Sequence, residues 1–373
     1  MLRESAMGFA ADHATSPAVR EAMASPLGID AALWQSVTEQ MYWQGILIPE
    51  NCGGLGLGMV EAMIVFEQLG YRLAPLPLYA CAQSTLALRT VADRPQARLL
   101  LSTLAEGQIV SLGHTVARPH WGLEGVAVTA LRAGQSWRLD GELRFVPAGH
   151  QATSCLVVAQ LESGYGLFSL STEQPGVTVT KSGTLDQTRP MASLGLSGVE
   201  VSAENCLSED WGANLERVLD LSRVLVGAEQ VGCAQASLDQ SVAYVGERIQ
   251  FGRTIASYQA IKHKAADMML KVESARSLLC YAACVSDDWL AGDAGACDLA
   301  EAAAMLASSA GDAAFFCAGT GIQLHGGVGI TEEYDIQLYF KRARALEAYL
   351  GRPDEHREFI AGLLLDQGGT HAA

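Results

Sequence analysis

Two short stretches of the chain hold the residue types that grip a diphosphate. In YVGERIQFGRTIASYQAIKHKAADM, from Tyr244 to Met268, Arg248 is followed by Gln250, Phe251 and Gly252. In QLHGGVGITEEYDIQLYFKRA, from Gln323 to Ala343, Gln323 is followed by Gly326, Gly327 and then Gly329. A diphosphate needs a fixed positive fork and backbone N–H groups that it can approach closely, and arginine and glycine supply those two things. Taken singly, HGGVG also reads as a Gly-rich turn between helices and Arg248 as a solvated helix residue. Taken together, they favour a nucleotide cofactor. The glycines match neither a phosphate loop with its lysine nor a G-x-G-x-x-G fingerprint, so ATP and NAD have no obvious seat.

In their order and spacing these motifs resemble the C-terminal half of the acyl-CoA dehydrogenase family. There an Arg-x-x-Phe-Gly turn joins two long antiparallel helices and its arginine reaches the FAD pyrophosphate of a neighbouring subunit, which a Gln-x-x-Gly-Gly turn also contacts. The resemblance implies FAD as cofactor, with Arg248, Gln250, Phe251, Gln259, Gln323, Gly326 and Gly327 completing a flavin site. It implies an acyl-CoA substrate, and electron-transfer flavoprotein or a similar protein as acceptor. It also covers GILIPENCGGLGLGMVEAMIVFEQLGYRLAPLP, where the loop at Pro49, Gly53 and Gly54 precedes a long helix.

The reaction of that family removes an α proton from a thioester while a hydride leaves the β carbon, so a carboxylate must sit beside the α carbon. The family places this glutamate either before the Gly of a Tyr-Glu-Gly motif or just before an Arg on the first helix of its C-terminal domain. Here the first place reads Tyr349-Leu350-Gly351 and the second Asp220-Leu221-Ser222-Arg223. Neither Leu350 nor Ser222 takes up a proton as a carboxylate does. Glu229 falls on the same helix face as Ser222, about 10 Å further along, and reads either as a relocated base or as a buried glutamate paired between helices. Asp220 and Glu347 are weaker candidates, Asp354 and Glu355 read as solvated, and Arg223 would help to position the site.

The flavin-ring contacts depart from the family as well. Its Thr-Glu-Pro-x-x-Gly-Ser-Asp loop corresponds to HTVARPHWGLEG, His114 to Gly125, and its Trp-(Ile/Val)-(Ser/Thr) strand to Phe145-Val146-Pro147. Pro147 removes a backbone donor. Thr115 and Trp121 either face a flavin or lie in the core. After Gly351, the family's Thr-Ser-Gln is replaced by Arg352-Pro353-Asp354.

Three stretches of differing texture define the elements that must position these residues. Residues 1–108 carry helical spacing, as in AALWQSVTEQMYWQGILIP. Residues 109–210 alternate and are rich in Val, Thr and Gly with frequent turn signals, which predicts a compact β domain. In residues 211–373 the helical period returns, broken at Phe251 to Gly252, Asp293 to Gly295 and His325 to Gly329, which predicts four long helices. The expected fold is mainly α with a β middle domain: an N-terminal helical domain, a small β barrel or sheet, and a C-terminal four-helix bundle. The final DQGGTHAA reads as a frayed tail.

With 49% apolar residues in 373, the chain can bury a large core. A formal charge of −16 disfavours nucleic acid and anionic membrane as partners, because both are bound through Lys and Arg. A polyanionic CoA needs a local basic patch, for which Arg223, Arg253, Lys262, His263 and Lys264 are candidates. Nine cysteines without a C-x-x-C give neither a disulfide framework nor zinc spacing, so no metal site is expected. Cys280 and Cys284 share a helix face and read as packing residues. The first residues lack a basic head and apolar core, and no apolar run is expected to span a membrane, so a cytoplasmic location is expected.

A chain that keeps contacts lent across an interface but lacks a base is similar to the heterotetrameric, α2β2 acyl-CoA dehydrogenases of bacterial steroid side-chain breakdown. In those, two unlike subunits share each FAD site and only one carries the base. The expected function is therefore a subunit of an enzyme that desaturates an acyl-CoA, and the resemblance implies a bulky ring-bearing acyl group. The alternatives are a self-sufficient dehydrogenase using a carboxylate such as Glu229, and a non-redox scaffold subunit on the same fold.

Overall fold

The structure is a computed structural model that describes residues 1–116, 121–293 and 295–368. Part of the loop aligned above with the family's flavin-ring loop, residues 117–120, lies outside it, as does the end of the tail from residue 369. The chain starts with helices α1 (Leu2–His13), α2 (Ser16–Ala24), α3 (Ala31–Ser36), α4 (Met59–Arg72), α5 (Leu78–Arg89) and α6 (Pro95–Ala105). Strands follow: β1 (Val110–Gly113), β2 (Thr129–Ala133), β3 (Ser136–Pro147), β4 (Ser154–Leu161), β5 (Gly164–Ser171), β6 (Val177–Lys181), β7 (Met191–Ser202) and β8 (Cys206–Ser208). Then come α7 (Gly212–Glu247), the short strands β9 (Ile249–Gln250) and β10 (Arg253–Thr254), α8 (Gln259–Ala291), α9 (Ala296–His325), α10 (Ile336–Glu347) and α11 (Pro353–Gly368). Helices, then strands, then helices along the chain are the order the three textures predict.

The described chain divides into two compact units. One contains residues 20–58 and 75–222, hence the whole sheet. Its strands are ordered β6-β7-β3-β2-β4-β5-β8, with β1 added parallel to β4. Alternation along β3 and β7 turns Trp137, Leu139, Leu143, Leu194, Val199 and Val201 into one core, where the Trp137 and Phe168 rings meet edge-on with centroids 5.4 Å apart. Burial of these side chains is what the Val-rich alternation encodes.

The other unit contains residues 1–19, 59–74 and 223–373. Along α8 the buried residues Met268, Val272, Ala275, Leu279, Ala282 and Ser286 form one stripe at helical spacing, and Gly292, at φ 87°, ends the helix in the left-handed conformation. Asp287 of α8 accepts from the Met59 and Val60 N–H groups at 2.5 and 3.1 Å, so a carboxylate caps the positive end of α4. Helices α4 and α7 touch backbone to backbone. A Cβ on Gly232 would stand 1.9 Å from the Glu67 carbonyl oxygen, and one on Gly70 would stand 2.0 Å from that of Glu229. Buried Glu67 then ties three elements together, accepting from Arg3 at 2.8 Å and from the Arg276 Nε and Nη2 at 3.2 and 3.1 Å.

Three expectations are modified by the structure. Among the described residues only α7, α8 and α9 are long. The fourth stretch is split into α10 and α11 because Leu350 (φ 63°) and Gly351 (φ 112°) leave helical space just before Pro353. The stretch Asp298–Ile330 is, by length and composition, apolar enough to cross a membrane. Its Ala-rich window is 61% buried, however, and it packs against α8, α10 and α11 as a core helix does. Cys280 and Cys284 are exposed on α8, opposite its buried stripe, whereas Cys52, Cys81, Cys155, Cys233 and Cys317 are buried.

Candidate functional site

The chain turns between α7 and α8 through an antiparallel hairpin in which Gln250 pairs with Arg253 and Ile249 with Thr254. At its tip Phe251 (φ 54°) and Gly252 (φ 80°) are both left-handed, the geometry of a tight two-residue turn. The Ile255 N–H donates to the Arg248 carbonyl at 2.8 Å and closes the base of the hairpin. Arg253 stacks its guanidinium 4.0 Å from the Tyr258 ring centroid, and the Tyr258 hydroxyl donates to the Gln250 carbonyl at 3.3 Å. The outcome is a braced hairpin that points its side chains outward. Arg248 and Gln250 are exposed, and Phe251 is 93% exposed.

Glycine placement at the end of α9 follows the same logic. A Cβ on Gly329 would stand 2.8 Å from the Ile322 carbonyl, so the fold itself requires that glycine. A Cβ on Gly327 would meet nothing within 4 Å, and the same holds for Gly326, whose φ of 65° still favours glycine. Gln323, Gly326 and Gly327 are exposed, and among the described residues neither the Gln323 amide nor the Arg248 guanidinium has a protein partner. Gln259, at the start of α8, is exposed as well.

Aromatic stacking brings the two motifs together. Tyr244, one helical turn before Arg248, stacks on His325 with ring centroids 4.3 Å apart and planes 22° apart, and Tyr334 meets both rings edge-on. The His325 Nδ1 lies 2.7 Å from the Gly321 carbonyl, which assigns the proton to Nδ1, and burial lowers the imidazole pKa. A cavity of about 500 Å³ lies against this cluster, lined in part by Ser16, Arg72, Tyr244, Glu247, His325 and Tyr334. Tyr244 and His325 were not assigned a role from the sequence. The signal that could find Tyr244 is its four-residue helical spacing from Arg248; His325 stands two residues from Gln323, on another face of α9, and offers no such signal.

The positions where a base is expected are built differently. Ser222 is fully buried and donates to the Val218 carbonyl at 2.6 Å. Leu350 is fully buried, and its carbonyl accepts from the Arg223 Nε at 2.9 Å, which holds the left-handed backbone in place. Arg223 therefore grips the loop and is not part of an open basic patch, while Lys262, His263 and Lys264 are exposed at the start of α8. Every local carboxylate is engaged. Glu229 pairs with Arg342 at 3.1 Å, with both residues buried. Asp220 pairs with Arg217 at 3.1 Å and Glu347 with Arg344. Asp354 pairs with Arg352 at 3.0 Å, and Glu355 accepts from the Arg352 N–H at 2.7 Å, capping α11.

In the β domain Trp121 is 4% exposed, with its ring centroid 5.6 Å from that of Phe145 and 6.5 Å from that of His114. Thr115 is buried, and its carbonyl accepts from the Arg144 N–H at 2.8 Å.

Behind Gly351 lies His356, which is 7% exposed. A Cβ on Gly351 would stand 2.8 Å from its Nε2. Burial, reinforced by the nearby Arg223 charge, pushes this imidazole down from 6.5 to about 4. Because the folded state refuses a proton that the unfolded chain accepts, stability is lost as pH falls from about 6.5 towards about 4. Full loss amounts to about 3 kcal/mol. Denaturant midpoints at pH 7 and pH 4.5 should therefore differ less for His356→Gln than for the natural chain, by about 2 kcal/mol. Equal acid sensitivity of the two proteins would refute this.

Comparisons with known proteins identify the family. The family of acyl-CoA dehydrogenase N-terminal domains matches residues 1–108, and that of the C-terminal domains matches residues 211–365. Acyl-CoA dehydrogenase IpdE2 of Mycolicibacterium smegmatis is 33% identical over 355 residues, covering 95% of each chain. A variant of the steroid ACAD Tcur3481-Tcur3483 superposes with a TM-score of 0.86 at 27% identity, over 99% of this chain and 98% of that one. A chain of the ChsE4-ChsE5 complex from Mycobacterium tuberculosis gives a TM-score of 0.84 at 27% identity, over 98% and 96%.

Proposed function

The chain belongs to the acyl-CoA dehydrogenase family, and from that premise we propose that it is the base-free subunit of a two-component, FAD-dependent desaturase of acyl-CoA thioesters. The observation that carries this reading is the outward set of Arg248, Gln323, Gly326 and Gly327, which its own fold leaves unused. Such a set suits a diphosphate held by a neighbouring chain: a cationic fork from Arg248, and backbone N–H groups that glycine leaves open to approach. Gln250, Phe251 and Gln259 would flank it.

In the family reaction, bound FAD supplies a two-electron acceptor for the hydride that leaves the β carbon. The α proton passes to a carboxylate, and the electron pair of that C–H bond becomes the new double bond. This chain supplies no such carboxylate at Ser222 or Leu350. The carboxylate closest in sequence to Ser222 on the same helix face, Glu229, is held in a buried ion pair. The base is therefore assigned to an unlike partner subunit in an α2β2 assembly, with electron-transfer flavoprotein or a similar protein as acceptor. Likeness to a steroid ACAD supports a bulky ring-bearing acyl group as substrate.

The test is to purify the chain alone and with its partner, then to measure visible absorbance and subunit stoichiometry. Little flavin is expected in the first preparation and bound FAD in the second. Arg248→Ala should reduce FAD retention in the complex by roughly 10- to 100-fold in affinity, the equivalent of a charge-assisted contact of about 1.5 to 3 kcal/mol. Thermal stability of the apo chain should not change, because the side chain is exposed and unpartnered. About one FAD per subunit in the isolated chain, or unaltered FAD content in the variant, would overturn the proposal.

A further inference from the structure

His325 is built as a one-sided acceptor. Only 7% of it is exposed, yet it lines the cavity of about 500 Å³ described above, whose lining residues all belong to the helical unit. Its Nδ1–H is committed to the Gly321 carbonyl 2.7 Å away, which leaves Nε2 with a lone pair and no proton. Among the described residues Nε2 has no hydrogen-bond partner. Because burial lowers the pKa of the ring, the imidazole is neutral at pH 7 and keeps that lone pair. A buried acceptor on a cavity wall is costly unless a donor meets it. The other polar walls favour a donor that carries positive charge. Glu247 and Glu333 line the same cavity, and among the described residues neither carboxylate has a hydrogen bond or an ion pair. Asp335 lines it too, accepting from the Ser16 hydroxyl at 2.8 Å. Among the described lining residues Arg72 is the only arginine or lysine, and its guanidinium lies 5.3 Å from the ring centroid of Tyr71, outside the lining. No three His, Cys, Asp or Glu side chains among the described residues gather closely enough to hold a metal ion, so the cation that fits is organic.

We propose that this cavity binds an alkylammonium group, whose N–H donates to His325 Nε2, whose charge faces Glu247 and Glu333, and whose hydrocarbon portion covers Val19, Leu73 and Leu338. The Tyr244 and Tyr334 rings add aromatic surface, which attracts cations. An anion meets the carboxylates unfavourably, and a quaternary ammonium has no proton for Nε2. A free amine and a lysine side chain of a neighbouring subunit share this chemistry as sources of the group. The site stands apart from the proposed flavin contacts, since none of Arg248, Gln323, Gly326 and Gly327 lines it.

The test measures dissociation constants of n-butylammonium and n-butyltrimethylammonium by ligand-observed NMR, at about 0.15 M salt to screen diffuse attraction to the acidic chain. The full chain alone should bind n-butylammonium saturably and about 10-fold or more tightly than the quaternary ion, which lacks an N–H. His325→Phe, which keeps a ring to stack on Tyr244 and removes the acceptor, should bring the two constants close together. Glu333→Gln, at an exposed position, should weaken both ligands by about 3-fold. Binding to the chain alone that disappears in the complex with its partner assigns the ammonium to a lysine side chain of that partner, and binding in both assigns it to a free amine; either result sustains the site. No saturable binding to the chain alone, equal constants for the two ions, or a preference that survives His325→Phe overturns the proposal. If His325→Phe does not fold, the preference of the natural chain and its response to Glu333→Gln decide, and constants unchanged by Glu333→Gln overturn it as well.

Discussion

Gly232→Ala should destabilise the helical unit by about 3 kcal/mol or more, lowering its melting temperature by roughly 10 °C. The added methyl would sit 1.9 Å from the Glu67 carbonyl oxygen, an obstacle that no rotamer change relieves because both groups belong to backbones. Either α4 and α7 separate, opening the layer between them, or the chain does not fold. Separation would also disturb the ring of contacts that Glu67 makes to Arg3 and Arg276. Gly246 is the internal control. It lies on the same helix, exposed and with nothing within 4 Å of its Cβ position, so Gly246→Ala should be neutral or stabilising by up to about 1 kcal/mol. Equal melting temperatures for the two variants would show that the close approach of the helices is not required.

Glu229→Gln separates the two readings of the missing base. If Glu229 is structural, the change leaves Arg342 buried opposite a neutral amide, and stability should fall by about 3 kcal/mol, the lower end of the cost of breaking a buried pair. Turnover in the assembled enzyme, measured well below the melting transition, should stay within a few-fold. If Glu229 is the base, turnover should fall by about 10²-fold or more, whatever the stability. The same complex carries the positive counterpart: removing the partner's glutamate at either family position should abolish turnover. A large kinetic loss from Glu229→Gln alone would establish a self-sufficient enzyme.

Much of the site could be read from the sequence because its information is local. Arg248 and Gly252 lie within one turn of chain, and so do Gln323 and Gly327. The helical, alternating and helical textures gave the order of elements. What could not be read depends on pairing across long separations. Arg342 neutralises Glu229 from 113 residues away, and nothing near either residue names the other. The stack of Tyr244 on His325 likewise needs α7 and α9 to end side by side. Cys280 and Cys284 were expected to pack because cysteine is commonly buried, yet α8 needs only one apolar stripe and they fall off it. The split between α10 and α11 turns on a left-handed leucine, a conformation that residue type alone does not announce.

The hairpin tip carries a final implication, for how the chain must be produced in a cell. Phe251 stands 93% exposed beside Ile249 at 61%, and Ile330 near the glycine turn is 72% exposed. Braced as it is, the hairpin cannot fold these side chains inward when no neighbour is present. A copy made in excess would carry adhesive apolar surface and become a substrate for chaperones and proteases. On the proposed two-subunit reading, balanced synthesis of the subunits favours solubility as well as activity, and producing this chain alone should lower its soluble yield, which co-production of the partner should raise.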